Sequence, residues 1–345
     1  MLKKLITISA ILSALAGGFA LYITRDGVLV TPTGKGTVVT ESGVFEAFPL
    51  PDYISNALNP DYKSYLVEAA PGIKIHVLEV GTGYPVYLQH GNPTAGLLYR
   101  QVAAALPTER MRLIMPTMVG LGFSSKIPVS EHKLDNHVRW MHSVLQQLDL
   151  QQVVYVGQDW GGPVGMGALA KSPGLLKGAV VLNTGFNAPK QNAELSPAHA
   201  AVRAPVIGEL VMEVFATVFD RLHGAQNDPD SINDAVKELY ARPVLESGNS
   251  KAPVTLMRMV SDGPDHPSTP AMRQIEAYVS TLDIPTEIVW GMNDPILGRA
   301  LPVMQANFPD APVTKTEAGH FLQEEVPQDI AAAIIRVVDQ LNAGD

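Results

Sequence analysis

The sequence predicts an α/β fold in which helices flank a mostly parallel central sheet and a helical cap is inserted late in the chain. Two observations lead to this prediction. From residue 65 onward, short β-branched segments alternate with helical segments, which is typical of βαβ units. About a hundred residues separate the segment that ends at Leu182 from the one that begins at Thr286, and a connection of that length needs secondary structure of its own.

Seven strands and five long helices can be assigned along this alternation. We expect strands at residues 73–80, 86–89, 112–115, 153–156, 179–182, 286–290 and 313–316. We expect helices at residues 95–106, 134–148, 162–170, 299–308 and 328–341. Within the long connection, apolar residues recur on one side of a helix across residues 206–222. This pattern predicts a helical cap at residues 185–275. The cap would cover a main domain formed by residues 61–184 and 276–345.

Composition narrows the possible functions. The 345 residues suffice for one large domain with a cap, or for two ordinary domains. The net charge of −9 argues against a nucleic-acid partner, which would require a basic surface. The chain contains no cysteine, so disulfides, thiolate metal sites and a cysteine nucleophile are excluded. We expect neither a metal nor an organic cofactor.

The N-terminal segment differs from the rest of the chain. Lys3 and Lys4 precede residues 5–24, which carry no charge. A segment of this length predicts either a signal anchor or a cleaved signal peptide. We therefore expect a membrane-attached protein facing the extracytoplasmic side, or a secreted or periplasmic one. Residues 25–60 are rich in Gly, Thr, Pro and Ser and are expected to form a linker with one short edge strand.

A strand followed by a tight turn and a helix gives the strongest functional signal. Residues 153–162 contain an apolar strand, then Gly157, Asp159 and Trp160, then two glycines. This pattern is typical of a nucleophile elbow, a crowded turn that lifts one side chain above the sheet and needs small neighbours. Asp159 would be the nucleophile. The competing interpretation is an aspartate that only caps the following helix.

A second loop supplies hydrogen-bond donors to the same place. His90-Gly91-Asn92-Pro93-Thr94 follows the strand at 86–89. In a fold with a nucleophile elbow, this loop provides one backbone N–H of the oxyanion hole, and the residue after the nucleophile provides the other. These groups would be the backbone N–H of Asn92 and of Trp160. An ordinary Asn-Pro turn is the alternative.

A histidine and an acid complete the predicted set. His320 lies after the last predicted strand, where the order of nucleophile, acid and histidine expects a base. Asp294 follows the strand at 286–290 and would orient the imidazole. The other position for such an acid holds Asn183 and Thr184, which are neutral. The alternative for His320 is a loop histidine without a function, and the alternative for Asp294 is an ordinary Asn-Asp-Pro turn.

These segments together resemble one family. From about residue 61 to 341, the chain is similar to the haloalkane dehalogenases of the α/β-hydrolase superfamily. The resemblance rests on residues 90–94, 134–139, 158–162, 291–294 and 319–321. It implies an Asp159 nucleophile, a His320–Asp294 pair, and Asn92 and Trp160 as halide ligands. Thr117 stands where many relatives have an aspartate.

The resemblance implies hydrolysis of haloalkanes to alcohol and halide through an alkyl ester on Asp159. The expected partners are a small halogenated hydrocarbon, halide and water. An epoxide hydrolase is the nearest alternative, with Tyr240 or Tyr278 of the cap region as the acid. A haloacid dehalogenase would require arginines near the elbow. A catalytically silent binding protein would usually lack the nucleophile, base or acid.

Overall fold

A computed structural model describes the backbone of residues 2–59 and 61–344, and the side chains of residues 12–59 and 61–343. Ten strands form one sheet: β1 (Thr37–Thr40), β2 (Gly43–Ala47), β3 (Lys63–Ala70), β4 (Ile73–Val80), β5 (Tyr84–Gln89), β6 (Met111–Pro116), β7 (Val153–Gly157), β8 (Leu176–Val181), β9 (Thr286–Gly291) and β10 (Val313–Thr316).

Helices cover this sheet and fill the long connection. The α-helices are α1 (Leu2–Ile23), α2 (Asp52–Ser55), α3 (Arg100–Ala104), α4 (Leu134–Gln147), α5 (Gly161–Ala170), α6 (Pro197–Arg203), α7 (Ile207–Glu209), α8 (Asp234–Leu245), α9 (Ala252–Arg258), α10 (Thr269–Val279), α11 (Leu301–Asn307), α12 (Leu322–Glu325) and α13 (Pro327–Gly344). Shorter 3-10 segments occupy Gly96–Tyr99, Val129–Glu131, Val218–Ala225, Pro229–Ile232 and Gly298–Ala300, and Leu210–Val214 is a π-helix.

The strand order is β1-β2-β3-β4-β6-β5-β7-β8-β9-β10. Six neighbouring strands run parallel, in the order β6, β5, β7, β8, β9 and β10. Strands β1 to β4 form an antiparallel edge beside β6. The predicted α/β class with a mostly parallel sheet is therefore confirmed. Each of the seven expected strands overlaps one of β4 to β10.

The antiparallel edge is larger than the sequence suggested. Residues 25–60, expected to be a linker with one edge strand, contain both β1 and β2, which pair with each other. Strand β2 then pairs with β3, which the sequence analysis did not predict. The residues of β1 and β2 are exposed or only partly buried, apart from Thr40, and no clear alternation of apolar and polar residues predicts them as strands.

The strand register brings the predicted site loops together. Gln89 at the end of β5 pairs with Gly157 at the end of β7, and Gly157 pairs with Val181 of β8. The chain leaves β5 toward β6 on one side and returns to β7 on the other. Such a reversal in a parallel sheet opens a crevice at the carboxyl ends of the strands, where ligands bind. The loops after β5 and β7 border this crevice.

The connection between β8 and β9 is helical, as expected, but its first half is broken. The continuous helix expected across residues 206–222 is replaced by α7, the π-helix Leu210–Val214 and the 3-10 segment Val218–Ala225. Thr217 and Asp220 form a capping box that begins a new segment, with the Thr217 N–H donating to Asp220 Oδ2 over 2.8 Å. Such a cap interrupts a helix even where the apolar pattern continues.

The N-terminal prediction requires correction. Residues 5–24, expected to be a signal anchor or signal peptide, lie mainly in α1, and the side chains of the first eleven residues are outside the described part. Among the residues that the structure describes, no helix combines the length and the apolar character needed to span a membrane. The predicted membrane attachment through residues 5–24 and the extracytoplasmic location derived from it are therefore wrong.

Candidate active site

The turn after β7 holds Asp159 in a conformation that few side chains adopt. Its φ is +50°, in the left-handed region. Helix α5 begins at Gly161 with Trp160 in the N-cap position, so Asp159 does not occupy that cap. A Cβ at Gly161 would lie 2.1 Å from the carbonyl oxygen of Gln89. Glycine is required there because the elbow and β5 are in close contact.

The two oxygens of the Asp159 carboxylate have different surroundings. Oδ1 accepts a hydrogen bond of 2.7 Å from the backbone N–H of Asn92, and the backbone N–H of Trp160 also bonds to this carboxylate. Oδ2 lies 3.6 Å from Nε2 of His320, and 19% of the side chain is exposed. One oxygen is therefore held by the backbone, while the other faces the imidazole.

His320 lies between two carboxylates. Its Nδ1 is 2.9 Å from Oδ2 of Asp294, and both side chains are almost completely buried. Burial alone would lower the pKa of His320, but attraction to Asp294 and Asp159 outweighs it and raises the pKa to about 10. The imidazolium form is therefore favoured while Asp159 carries its charge.

The amide of Asn183 fixes the position of Asp294. Asn183 Nδ2 donates to Asp294 Oδ2 over 2.8 Å and to the carbonyl of Gly291, while its Oδ1 accepts from the N–H of Gly291. The N–H of Ile296 donates to Oδ1 of Asp294 over 2.7 Å. Burial raises the pKa of Asp294, but His320 and these backbone donors lower it more, so the net direction is downward.

Gln158 contacts the other nitrogen of the imidazole. Its Nε2 donates to the backbone carbonyl of His320 over 3.0 Å and lies 3.2 Å from Nε2 of the ring. Only a ring without a proton on Nε2 can accept from this amide. Gln158 therefore favours the neutral form, against the two carboxylates that favour the charged form.

Asp159 remains ionised despite its enclosed position. Burial raises its pKa, but the hydrogen bond and charge of His320 and the two backbone N–H groups lower it further, so the pKa lies below the usual value. Thr184, in the loop after β8, adds support, since its hydroxyl donates to the Asp159 carbonyl over 2.6 Å. The site thus keeps a carboxylate available at neutral pH.

The predicted halide ligands lie beside the nucleophile. Trp160 is buried, and its indole N–H has no acceptor among the described residues. Asn92 Nδ2 donates to the carbonyl of Pro253 in α9 over 3.0 Å. One amide hydrogen of Asn92 therefore connects the loop after β5 to the cap, which leaves the other for a ligand.

Two cavities meet at Asp159. One has a volume of about 400 Å³ and the other about 170 Å³. Both are bordered by the same five residues, and most of their remaining lining is apolar. The shared residues are Asp159, Trp160, His199, Val260 and Ile296.

The structure brings all five predicted site residues together, and it adds others that the sequence analysis did not identify. Asn183 and Thr184 were considered only as neutral residues, and Gln158 only as part of a motif. The carboxyl ends of neighbouring parallel strands were the signal for these three. Helix α6 supplies His199, for which a Ser-Pro helix start at Ser196 was the available signal.

Comparisons with known proteins identify the family and the fold. The family model for the alpha/beta hydrolase fold matches residues 84–327. Haloalkane dehalogenase 2 of Mycobacterium tuberculosis is 31% identical over 267 residues, which is 76% of this chain and 90% of that protein.

Solved structures extend the comparison. A mutant of the haloalkane dehalogenase DatA from Agrobacterium tumefaciens C58 superposes with a TM-score of 0.70 at 25% identity, covering 81% of this chain and 98% of DatA. The epoxide hydrolase CorEH superposes with a TM-score of 0.65 at 19% identity, covering 81% of this chain and 99% of CorEH. The latter likeness concerns the fold alone.

The fold and site define an α/β hydrolase, and the chain belongs to that family. Within it, the chain belongs with the haloalkane dehalogenases, to which its relative of 31% identity is assigned. The predicted fold class is confirmed.

Proposed function

We propose that the protein hydrolyses haloalkanes to an alcohol and a halide ion through a covalent ester on Asp159. The unequal surroundings of the two Asp159 oxygens are the observation that carries this proposal. Oδ1 accepts a hydrogen bond from the backbone N–H of Asn92, whereas Oδ2 faces His320. The haloalkane dehalogenase relatives support the same substrate class.

In the first step, Oδ2 of Asp159 attacks the carbon that bears the halogen. The new C–O bond forms as the carbon–halogen bond breaks, and the bonding pair leaves with the halide. Oδ1 becomes the carbonyl oxygen of the ester and stays against the N–H groups of Asn92 and Trp160. No proton is transferred, because halide leaves as a stable anion.

In the second step, water attacks the carboxyl carbon of the Asp159 ester. His320 takes a proton from this water, and the developing negative charge on Oδ1 is stabilised by the same two N–H groups. The tetrahedral intermediate then collapses, the C–O bond to the alkoxide breaks, and the alkoxide receives the proton from His320. The second proton of the water, which remains on the carboxyl group, then passes to His320 and on to solvent, and this restores Asp159 as a carboxylate.

Ester formation itself prepares His320 for this role. In the free enzyme, Asp159 contributes to raising the His320 pKa to about 10. The ester is neutral, so this contribution disappears once the alkyl group is attached. The pKa of His320 therefore falls on ester formation, while the charge and hydrogen bond of Asp294 continue to raise it and hold the ring in place. The ring thus loses its proton more readily at the step that requires a base.

The departing halide needs hydrogen-bond donors, since a bare anion in an apolar cavity is strongly disfavoured. We assign this role to the Trp160 indole N–H and to the second amide hydrogen of Asn92. Both donors are neutral, so the halide is stabilised without an ion pair that would oppose its release.

An epoxide hydrolase reaction receives less support. Opening an epoxide requires an acid beside the ring oxygen, for which the cap tyrosines were the candidates. Tyr240 is fully buried and bonded to Glu324 and Arg100, and neither Tyr240 nor Tyr278 borders the two cavities. A catalytically silent binding protein is disfavoured because Asp159, His320 and Asp294 are all present and in contact.

Bromide release from 1-bromobutane and 1,2-dibromoethane tests the proposal. We expect the wild-type protein to release bromide from both, and Asp159→Asn to release none. An epoxide such as styrene oxide, followed by diol formation, serves as the comparison substrate. Diol formation without bromide release would contradict the proposal in favour of the epoxide hydrolase, and neither activity would favour the binding protein.

A further inference from the structure

His199 is a second histidine above the nucleophile, separate from His320. It lies in α6 of the cap and borders both cavities. Of the five residues that the cavities share, Asp159 and His199 are the two with ionisable side chains. The charge of Asp159 acts on His199, since it partly offsets the lowering of the His199 pKa by burial.

Ser196 contacts one of the two ring nitrogens of His199 and so bears on which nitrogen carries the proton. The Ser196 hydroxyl lies 2.7 Å from Nδ1 of the ring and accepts the backbone N–H of His199 over 3.3 Å. A hydroxyl that accepts from the backbone still has one hydrogen to donate, and Nδ1 is within reach of it. We assign the hydroxyl as the donor to Nδ1, which places the proton of the neutral imidazole on Nε2.

The Nε2 position of His199 has no hydrogen-bond partner among the described residues. Burial lowers the pKa of His199, which favours the neutral ring. A neutral N–H donor thus borders cavities whose walls are largely apolar, with contributions from Val260, Ile296 and Met272. A hydrocarbon chain cannot use this donor, whereas a substrate with an oxygen or nitrile group can.

We propose that His199 is a specificity-determining residue, which donates a hydrogen bond from Nε2 to an acceptor group on the substrate. This inference rests on the proposed dehalogenase function and specifies its substrate class. The preferred substrates are short haloalkanes that carry an ether, carbonyl or nitrile acceptor, in addition to the carbon–halogen bond attacked by Asp159.

The experiment compares two substrates of similar size, 1-bromobutane and 4-bromobutyronitrile. We measure kcat and KM for bromide release by the wild-type protein and by His199→Leu, which removes the donor. One neutral hydrogen bond is equivalent to about two- to tenfold in affinity. We expect His199→Leu to raise KM for the nitrile by about this factor, with little change in kcat and less than about twofold change for 1-bromobutane.

Two further variants separate hydrogen bonding from packing. His199→Gln retains an N–H donor near the position of Nε2, and we expect it to recover most of the nitrile preference. His223 is an exposed cap histidine that borders neither cavity, so His223→Leu should leave both substrates unchanged. Equal effects of His199→Leu on both substrates, or no recovery by His199→Gln, would overturn the proposal.

A binding measurement distinguishes failure of this inference from failure of the proposed function. Butyronitrile carries the acceptor but no halogen, and its binding can be followed by tryptophan fluorescence. If the wild-type protein releases no bromide from either substrate while butyronitrile still binds more weakly to His199→Leu, the dehalogenase function fails and the role of His199 stands. If butyronitrile binds both proteins equally, the role of His199 is refuted.

Discussion

Replacing Asp294 by asparagine should separate the two chemical steps. The carboxylate accepts a charge-assisted hydrogen bond of 2.9 Å from Nδ1 of His320 in a fully buried environment. Asparagine has nearly the same shape but no charge. The substitution therefore removes the charged partner of the ring and leaves the backbone geometry intact.

The structure allows the size of the effect to be worked out. A hydrogen bond to a charged group contributes about 1.5–3 kcal/mol, and about 1.4 kcal/mol corresponds to tenfold in rate. We expect steady-state bromide release to fall by about 10- to 100-fold. Formation of the ester does not use His320, so the first turnover should remain fast.

Rapid-quench measurement of bromide provides the assay. With enzyme at high concentration, Asp294→Asn should show a burst of about one bromide per site, followed by a slow phase that reflects ester hydrolysis. Loss of the burst together with the slow phase, or an unchanged steady-state rate, would refute the reasoning.

A double variant tests whether the position of the acid or only its presence matters. Asn183 Nδ2 contacts the same Asp294 oxygen that contacts His320. Asn183→Asp combined with Asp294→Asn exchanges amide and carboxylate at this contact. We expect it to recover part of the steady-state rate that Asp294→Asn alone loses.

Three further predictions concern the surroundings of the site. In Gly91→Ala, the new Cβ would lie 2.3 Å from Oδ1 of Asp159. Bromide release should therefore be lost, while circular dichroism shows a retained fold. Full activity would contradict the close approach of Gly91 to Asp159. Tyr240→Phe removes the hydrogen bonds that Tyr240 shares with Glu324 and Arg100 and should lower the free energy of unfolding by about 1.5–3 kcal/mol. Bromide release should nevertheless persist. Loss of bromide release would indicate a catalytic tyrosine. The pKa of His320 is about 10 in the folded protein, against an ordinary value of 6.5, so its protonation stabilises the fold fully below pH 6.5, and this contribution is lost as pH rises through about 10. The difference in melting temperature between the wild-type protein and His320→Gln should therefore decrease from pH 6 to pH 10. A constant difference would contradict the raised pKa.

The main features of the fold could be read from the sequence because buried parallel strands are strongly marked. Strand β7 is apolar throughout and is followed by a glycine-flanked turn, so both its type and its end were evident. Strands β1 and β2, whose residues are largely exposed or only partly buried, lack such an apolar pattern. Their positions depend on pairing with the edge of the sheet, which is a contact distant in sequence.

The site shows the same division. Asp159, Asn92, His320 and Asp294 were predicted because each follows a recognisable strand in a known order. The roles of Gln158 and Asn183 depend on hydrogen bonds to residues more than a hundred positions away, which local pattern does not reveal. His199 belongs to a cap whose helices are broken by Val206, with a φ of +71°, and by the Thr217 cap. Its position over the nucleophile follows from tertiary packing.

The central claim is that the carboxylate of Asp159 forms a covalent bond to the substrate carbon. Intact-protein mass spectrometry of His320→Gln after incubation with 1-bromobutane tests it most directly, because the variant can form the ester but lacks the base that hydrolyses it. We predict a mass increase of one butyl group, located on Asp159 by peptide mapping and absent from the double variant His320→Gln/Asp159→Asn. Bromide release by His320→Gln without an adduct on the protein, or an adduct at another residue, would contradict the account.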